Sequence, residues 1–308
     1  MEIVNNYKAF CLNWFSKDLQ INELQKSSTP KRVDVEIKCK DPKTWPKIAP
    51  NNNSTPFLNM FDNEVRLRIE NVVSFRIIDG KEINFFPENK NIKSQDIKAF
   101  LLGSVFAAVL IQRGYSVFHG NALEKNGKSI VCLGNSGIGK STIAYSLLTN
   151  GWNLLSDDLV CIDENFNVLP GIPRIKLWID AIETFKLNYK VLEPVRNGIK
   201  KYIWIPPEDK ICLNPTKLSR VYIANKRKNL FENENSAISE ISSEQNAMLA
   251  LRNQIFRPRF VRGLKKESIY FSRISKVIKN LPIYRMNLPD DIKFMNSWLA
   301  KNDLLNFS

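Results

Sequence analysis

The segment from Ser129 to Asp158 constrains this chain more than any other. It opens with Ile130-Val131-Cys132-Leu133, an apolar run with the length and branching of a buried strand. Gly134-Asn135-Ser136-Gly137-Ile138-Gly139-Lys140-Ser141 follows and satisfies G-x-x-x-x-G-K-[ST] at every fixed position. Thr142 to Thr149 then sets Ile143, Ala144, Leu147 and Leu148 at helical spacing, and Asn150-Gly151 supplies a stop. Strand, glycine loop and helix in that order are the context that a phosphate-cradling loop requires. With average glycine usage the fixed positions recur by chance in a chain of this length on the order of one time in a hundred.

The residue types predict the chemistry of this loop. Glycines let the backbone curl until successive N–H groups converge on phosphate oxygens, and the following helix adds its positive dipole end. The expected nucleotide-binding set is Gly134, Asn135, Ser136, Gly137, Ile138, Gly139, Lys140, Ser141 and Thr142. Lys140 is expected to reach the β- and γ-phosphates, and the Ser141 hydroxyl to help hold Mg²⁺.

Two further features fall close to the loop. Asp157-Asp158 follows Lys140 by one helix and a tight turn, so a helix returning to a neighbouring strand places both carboxylates at the phosphate end of the sheet. One then serves the metal, while the other accepts a proton from an attacking hydroxyl. His119, the single histidine, lies in a strand that Asn126-Gly127 turns back into the loop strand; counting across that hairpin brings it near the phosphates.

Composition sets the outer bounds. At 308 residues, 44% hydrophobic and 25% charged, the chain is an ordinary globular one with room for two domains. Its net charge is +14 from 45 basic and 31 acidic residues. The tightest basic clusters are only Lys226-Arg227-Lys228 and Lys265-Lys266, without interleaved aromatics, so a solvated surface is expected in preference to a nucleic-acid site. Five cysteines without a C-x-x-C pair argue against zinc or a disulfide framework and for a reducing, cytoplasmic setting. The N-terminus lacks a signal-peptide pattern. The longest apolar stretch, Ala99 to Ile111, is too short for a bilayer and reads as a buried helix, so no membrane span is expected.

Taken in order, residues 1–32 read as an N-terminal extension with an amphipathic piece around Ala9 to Phe15. Asp34 to Cys39 reads as a strand and residues 40–56 as a proline- and asparagine-rich loop. Val65 to Glu70, Val72 to Ile78 and Glu82 to Phe86 alternate like antiparallel strands, with a hairpin turn at Asp79-Gly80. A helix over Gln95 to Arg113 leads to strands at Ser116 to Glu124 and Ser129 to Leu133. Past the loop helix, Trp152 to Ser156, Leu159 to Asp163, Ile175 to Trp178, Lys201 to Pro206 and Leu218 to Ala224 read as strands. The last part mixes helices (Ser243 to Arg252, Lys266 to Asn280, Asp290 to Lys301) with one strand, Ile283 to Met286. The expected division is an N-terminal extension and small β region over 1–95, then a phosphate-loop α/β domain with a helical C-terminal elaboration over 96–308.

His119-Gly120, then Gly134-x-Ser136-Gly137-Ile138-Gly139-Lys140-Ser141, then Asp157-Asp158 resembles the catalytic domain of HPr kinase/phosphorylase. The broader set of HPr kinase-like proteins, which includes kinases of lasso-peptide precursors, is more similar still. Leu101-Leu102-Gly103-Ser104 with Gln112-Arg113-Gly114, and Pro170-Gly171-Ile172-Pro173-Arg174 with Leu177-Trp178, carry that second likeness. The resemblance implies the phosphate-loop kinase fold shared with bacterial phosphoenolpyruvate carboxykinases, and ATP-dependent phosphorylation of a serine hydroxyl. It assigns the general base to Asp157, the metal-side carboxylate to Asp158 beside Ser141, and the family's histidine to His119. Thr142 stands where a glutamate commonly follows the loop serine, and an E-x-R-G-x-G stretch, associated there with phosphorolysis, is missing.

The expectation is therefore a kinase of a serine on a peptide or protein, such as a lasso-type precursor, with room for a homo-oligomer. Lys140 and Mg²⁺ neutralise the γ-phosphate, His119 orients the reacting groups, and Arg174 and Lys201 are candidates for charge stabilisation. A small-metabolite kinase on the same site, and a non-enzymatic nucleotide-binding protein drawing on the +14 charge, are the alternatives.

Overall fold

The computed structural model describes residues 5–28, 32–47, 55–196, 198–228 and 237–301. In chain order the first elements are β1 (Asn6–Ala9), β2 (Leu12–Ser16), β3 (Gln25–Lys26), β4 (Val35–Cys39), β5 (Leu58–Met60), β6 (Glu64–Ile69), β7 (Val73–Ile78) and β8 (Glu82–Pro87). Helix α1 (Ser94–Phe100) runs through a π-helical turn, Leu101–Val105, into α2 (Phe106–Gln112). Then come β9 (Ser116–Lys125), β10 (Lys128–Gly134), α3 (Lys140–Thr149), β11 (Asn153–Ile162), β12 (Asn167–Val168), β13 (Ile175–Trp178), α4 (Ile179–Thr184), β14 (Glu193–Pro194), β15 (Lys201–Trp204) and β16 (Thr216–Lys228). The chain continues with β17 (Ile238–Glu240), α5 (Glu244–Arg252), α6 (Pro258–Gly263), α7 (Glu267–Asn280), β18 (Ile283–Pro289) and α8 (Ile292–Lys301).

The chain forms two compact units, one made of the residues up to Ser116 with Arg257–Tyr270, the other of Val117–Phe256 with the residues from Phe271 on. The first boundary falls later than the cut near residue 95 because the helix from Ser94 to Gln112 belongs to the first unit's core. Its sheet has the order β3-β1-β2-β4-β8-β7-β6-β5. The asparagine run at 51–53 and the adjoining Pro50 lie outside the described residues.

The piece around Ala9 to Phe15, expected as amphipathic, is the β1–β2 hairpin. Tyr7, Ala9, Leu12 and Trp14 are buried, and Phe10-Cys11 makes the turn with φ 55° and 58°. Two positive φ values suit a two-residue hairpin turn, but Phe and Cys are not the residues that usually announce one. Trp14 stacks on Phe106 of α2, with ring centroids 3.9 Å apart, and its indole N–H donates to the Ala9 carbonyl at 2.9 Å. The Ser94–Gln112 helix is long and apolar enough to cross a membrane, and most of it is buried. It serves as the core helix expected from its composition.

In the second unit the pairings β10–β9–β11–β12–β16 close into a ring, because β16 also pairs with β10, and β18 and β17 continue outward from β16. β9 and β10 are antiparallel across Asn126-Gly127, whose φ values of 53° and 75° are those a type I′ turn requires. β10 runs parallel to β16 on its other side, and β16 parallel to β18. Every residue of β10 from Ser129 to Gly134 is buried. One of its faces joins Ile143, Leu147 and Trp152, the other Val221, Leu251 and Ile274. A separate small antiparallel sheet has the order β13-β15-β14.

The strands expected at Trp152 to Ser156 and Leu159 to Asp163 are one strand, β11, with Asp157-Asp158 inside it. Asp158 has φ 78°, and the Ser156 hydroxyl donates to the Leu159 carbonyl at 2.6 Å across the kink. That bond supports a backbone state a non-glycine residue seldom adopts.

Gly120 sits where β9 crosses β10, and a Cβ there overlaps the Cys132 carbonyl and comes 2.6 Å from Leu133 Cδ2. The expected outcome for Gly120→Ala is a loss of about 1–3 kcal/mol on urea unfolding, because the backbones must separate beside His119. An unfolding midpoint equal to that of the unsubstituted chain would contradict this close approach.

Candidate active site

The site assembles at the C-terminal end of β10, the end at which parallel strands present ligands. Gly139, with φ 110°, caps the start of α3, a backbone state open to glycine and closed to most side chains. Lys140 follows and is nearly buried. Its Nζ donates to the carbonyls of Gly134 and Asn135, both at 2.8 Å, so the lysine bridges its own loop. Asn121 of β9, fully buried, donates to the Lys140 carbonyl and ties the first turn of α3 to the sheet.

One cavity gathers most of the expected residues. Ser136, Gly137, Gly139, Lys140, Ser141 and Thr142 line it, together with His119, Asp157, Asp158 and Lys201. Gly134 and Asn135 contribute carbonyls to Lys140, and Ile138 packs against the core. Arg174 is the exception among the candidates for charge stabilisation: it is buried and does not line the cavity. Its charge reaches the site through Asp158.

Lys176, which the sequence did not single out, takes the place expected of Arg174. Its Nζ pairs closely with the Asp158 carboxylate, and its backbone N–H donates to Asp157 Oδ2 at 3.1 Å. A single residue of β13 thus holds both carboxylates. The Ser141 hydroxyl lies 3.2 Å from Asp157 Oδ2, whereas Asp158 faces His119, whose Nδ1 is 3.3 Å from the Asp158 carbonyl and 3.8 Å from Oδ1. The serine is therefore beside Asp157, the reverse of the pairing expected from the resemblance.

The charges split the two aspartates. Burial pushes the Asp157 carboxyl above its ordinary range, and the neighbouring Asp158 charge adds to that. Burial acts on Asp158 in the same direction, but the Lys176 ammonium outweighs it, and His119 and Arg174 help hold Asp158 far below the usual carboxylate range. His119 is drawn below its ordinary value by burial and then by Lys140. Burial likewise lowers Lys176 and carries Lys140 down to about 8, against the opposing pull of the aspartates.

These residues fit a polyphosphate. A buried ammonium with a depressed pKa, at the head of a helix and among convergent loop amides, is stabilised by an anion placed beside it. Among the described residues, no group of three or more His, Cys, Asp or Glu could hold a metal. Mg²⁺ makes no such demand, since it commonly uses one or two carboxylates and completes its shell with phosphates and water. Ser141 and Asp157 offer that partial set.

Comparison with known proteins gives partial matches. No family model matches the chain. It is 31% identical over 125 residues to an HPr kinase/phosphorylase of Pelodictyon phaeoclathratiforme, which covers 36% of this chain and 38% of that one. It is 41% identical over 60 residues to an HPr kinase/phosphorylase of Prosthecochloris aestuarii, 18% of each chain. The match therefore spans well under half of these relatives. The HPr(Ser) kinase/phosphatase of Coxiella burnetii aligns in structure over 61% of this chain and 96% of its own, at 14% identity and a TM-score of 0.31.

The depressed Lys140 makes a stability prediction. In the folded chain its proton leaves at about 8, against an ordinary 10.5, so between those values only the unfolded chain holds it. Stability is expected to rise with pH across that window by up to about 3 kcal/mol relative to Lys140→Met, with the full penalty present below it. Added inorganic triphosphate is expected to flatten the rise, because a bound anion restores the proton. Urea unfolding at a series of pH values checks this; parallel curves for the two proteins would contradict it. Over the matched stretches, the chain is similar to HPr kinase/phosphorylases.

Proposed function

We propose that this chain is an ATP-dependent kinase that transfers the γ-phosphate to a serine hydroxyl of a peptide or protein, on a phosphate-loop fold of the HPr kinase and phosphoenolpyruvate carboxykinase type. The observation that carries this reading is the shared cavity of Lys140, Ser141, Asp157, Asp158, His119 and Lys176. The names of the relatives support a kinase, and the missing E-x-R-G-x-G stretch favours the forward reaction and an acceptor other than HPr. A lasso-type precursor peptide is the example that the sequence resemblance supplies. A reducing cytoplasm suits the five cysteines, none of which is bridged.

In this reading the loop amides and Lys140 bind and orient the β- and γ-phosphates. Ser141 and Asp157 would hold Mg²⁺, which would supply charge neutralisation at the phosphates. Asp158, kept ionised by Lys176, takes the proton of the serine hydroxyl as its oxygen attacks phosphorus, and His119 fixes that carboxylate from the other side. Lys201, on the cavity wall, stabilises charge on the transferring group. These assignments exchange the roles that the resemblance gave the two aspartates, on the ground that Ser141 lies beside Asp157.

The substitutions separate these roles. Lys140→Ala is expected to abolish transfer of labelled phosphate from ATP to a serine peptide. Asp158→Asn is expected to lower kcat by about 10²–10⁴ at an unchanged Mg²⁺ requirement. Asp157→Asn is expected to raise the Mg²⁺ concentration needed for half the maximal rate. Ordinary turnover in Lys140→Ala would overturn the kinase reading, and an unchanged Mg²⁺ requirement in Asp157→Asn would return the metal to Asp158.

A further inference from the structure

We infer that the rim formed by Trp178 and the β14–β15 hairpin docks an acidic segment of the acceptor peptide, next to its serine. This rests on the reading of the site as a peptide kinase and names the kind of peptide it takes. Trp178 lines the cavity yet remains 48% exposed. It stands opposite Lys201 in the β13–β15 register, and the Lys201 ammonium lies 5.4 Å from the centre of its ring. The neighbouring cations Lys200 and Arg196 are exposed. The hairpin is anchored where it meets the cavity wall: the Ile179 N–H donates to the Lys200 carbonyl at 3.2 Å, and the Val195 N–H to the Lys201 carbonyl at 2.8 Å.

The charge balance on the hairpin itself is positive. Arg196, Lys200 and Lys201 stand on the hairpin against Glu193, with Glu183 on α4 and Asp180 in the cavity wall as the nearby acids. Val191 and Ile205, which flank the hairpin strands, are 75% and 50% exposed. A small metabolite has no use for this outer surface. A peptide reaching across the rim lays apolar atoms on Trp178 and sets its carboxylates against Lys200 and Arg196. Charges at a rim of this kind act mainly through steering and specificity, and salt weakens them.

The test uses the full chain and fluorescein-labelled serine peptides that differ only in acidic, amide or basic flanking residues. Binding is followed by anisotropy, and phosphoryl transfer separately by mass spectrometry. The acidic peptide is expected to bind about tenfold more tightly than the amide peptide at low salt, with the advantage shrinking as salt rises. The double variant Arg196→Glu, Lys200→Glu is expected to remove the advantage while nucleotide affinity holds, since neither side chain lines the cavity. Trp178→Ala is expected to weaken the acidic and amide peptides alike. Equal affinity for the three peptides, or an acidic preference that survives the charge reversal, overturns the inference. Stronger binding of a single-stranded oligonucleotide than of the acidic peptide through the same residues also overturns it. If the acidic peptide binds at the rim but receives no phosphate, the kinase reading fails and the docking surface stands. If serine peptides are phosphorylated equally whatever their flanks, the kinase reading stands and the surface falls.

Discussion

Strand β10 is the constraint on which the second unit depends. It is buried on both faces and paired on both edges, antiparallel to β9 and parallel to β16. A strand held in this way has no freedom to slide, because a one-residue slip turns every side chain to the wrong face. The glycine loop at its end is therefore aimed by the core, and α3 starts in a fixed place. Asn121 reaches from the neighbouring strand to the Lys140 carbonyl and ties the helix start to the same sheet.

The electrostatics of the site follow from that rigidity. Two adjacent carboxylates and three lysines share one cavity with a histidine. Left in an apolar interior, such charges cost several kcal/mol each, so they persist only when paired or when a ligand completes them. Lys176 meets half of this demand by gripping Asp158 with its ammonium and Asp157 with its backbone N–H. Lys140 is satisfied for the present by carbonyls of its own loop, the contact a phosphate oxygen replaces most readily. The positive φ of Asp158 belongs to the same arrangement: successive side chains of a regular strand point to opposite faces, whereas both carboxylates here line one cavity at the kink in β11. Strain kept at such a point is characteristic of working sites.

Local signals decided a good deal of this protein. The loop motif, the Asn126-Gly127 and Asp79-Gly80 turns, the β6–β8 meander and the apolar core helix are all short-range patterns whose geometry depends on neighbouring residues alone. That is why they were legible in the sequence, and why His119 could be brought toward the loop by counting across a hairpin. Only the tertiary structure decided the rest. Lys176 is one lysine among many in a basic chain, and nothing in its neighbours marks it; its role comes from β13 being laid against β11. Arg174, two residues earlier, looked equivalent and is buried away from the cavity. Ser141 meets Asp157 and not Asp158, and the β1–β2 hairpin turns through Phe10-Cys11 with Trp14 buried in the core. In each case residues far apart in sequence set the outcome, and composition and spacing carry no record of them.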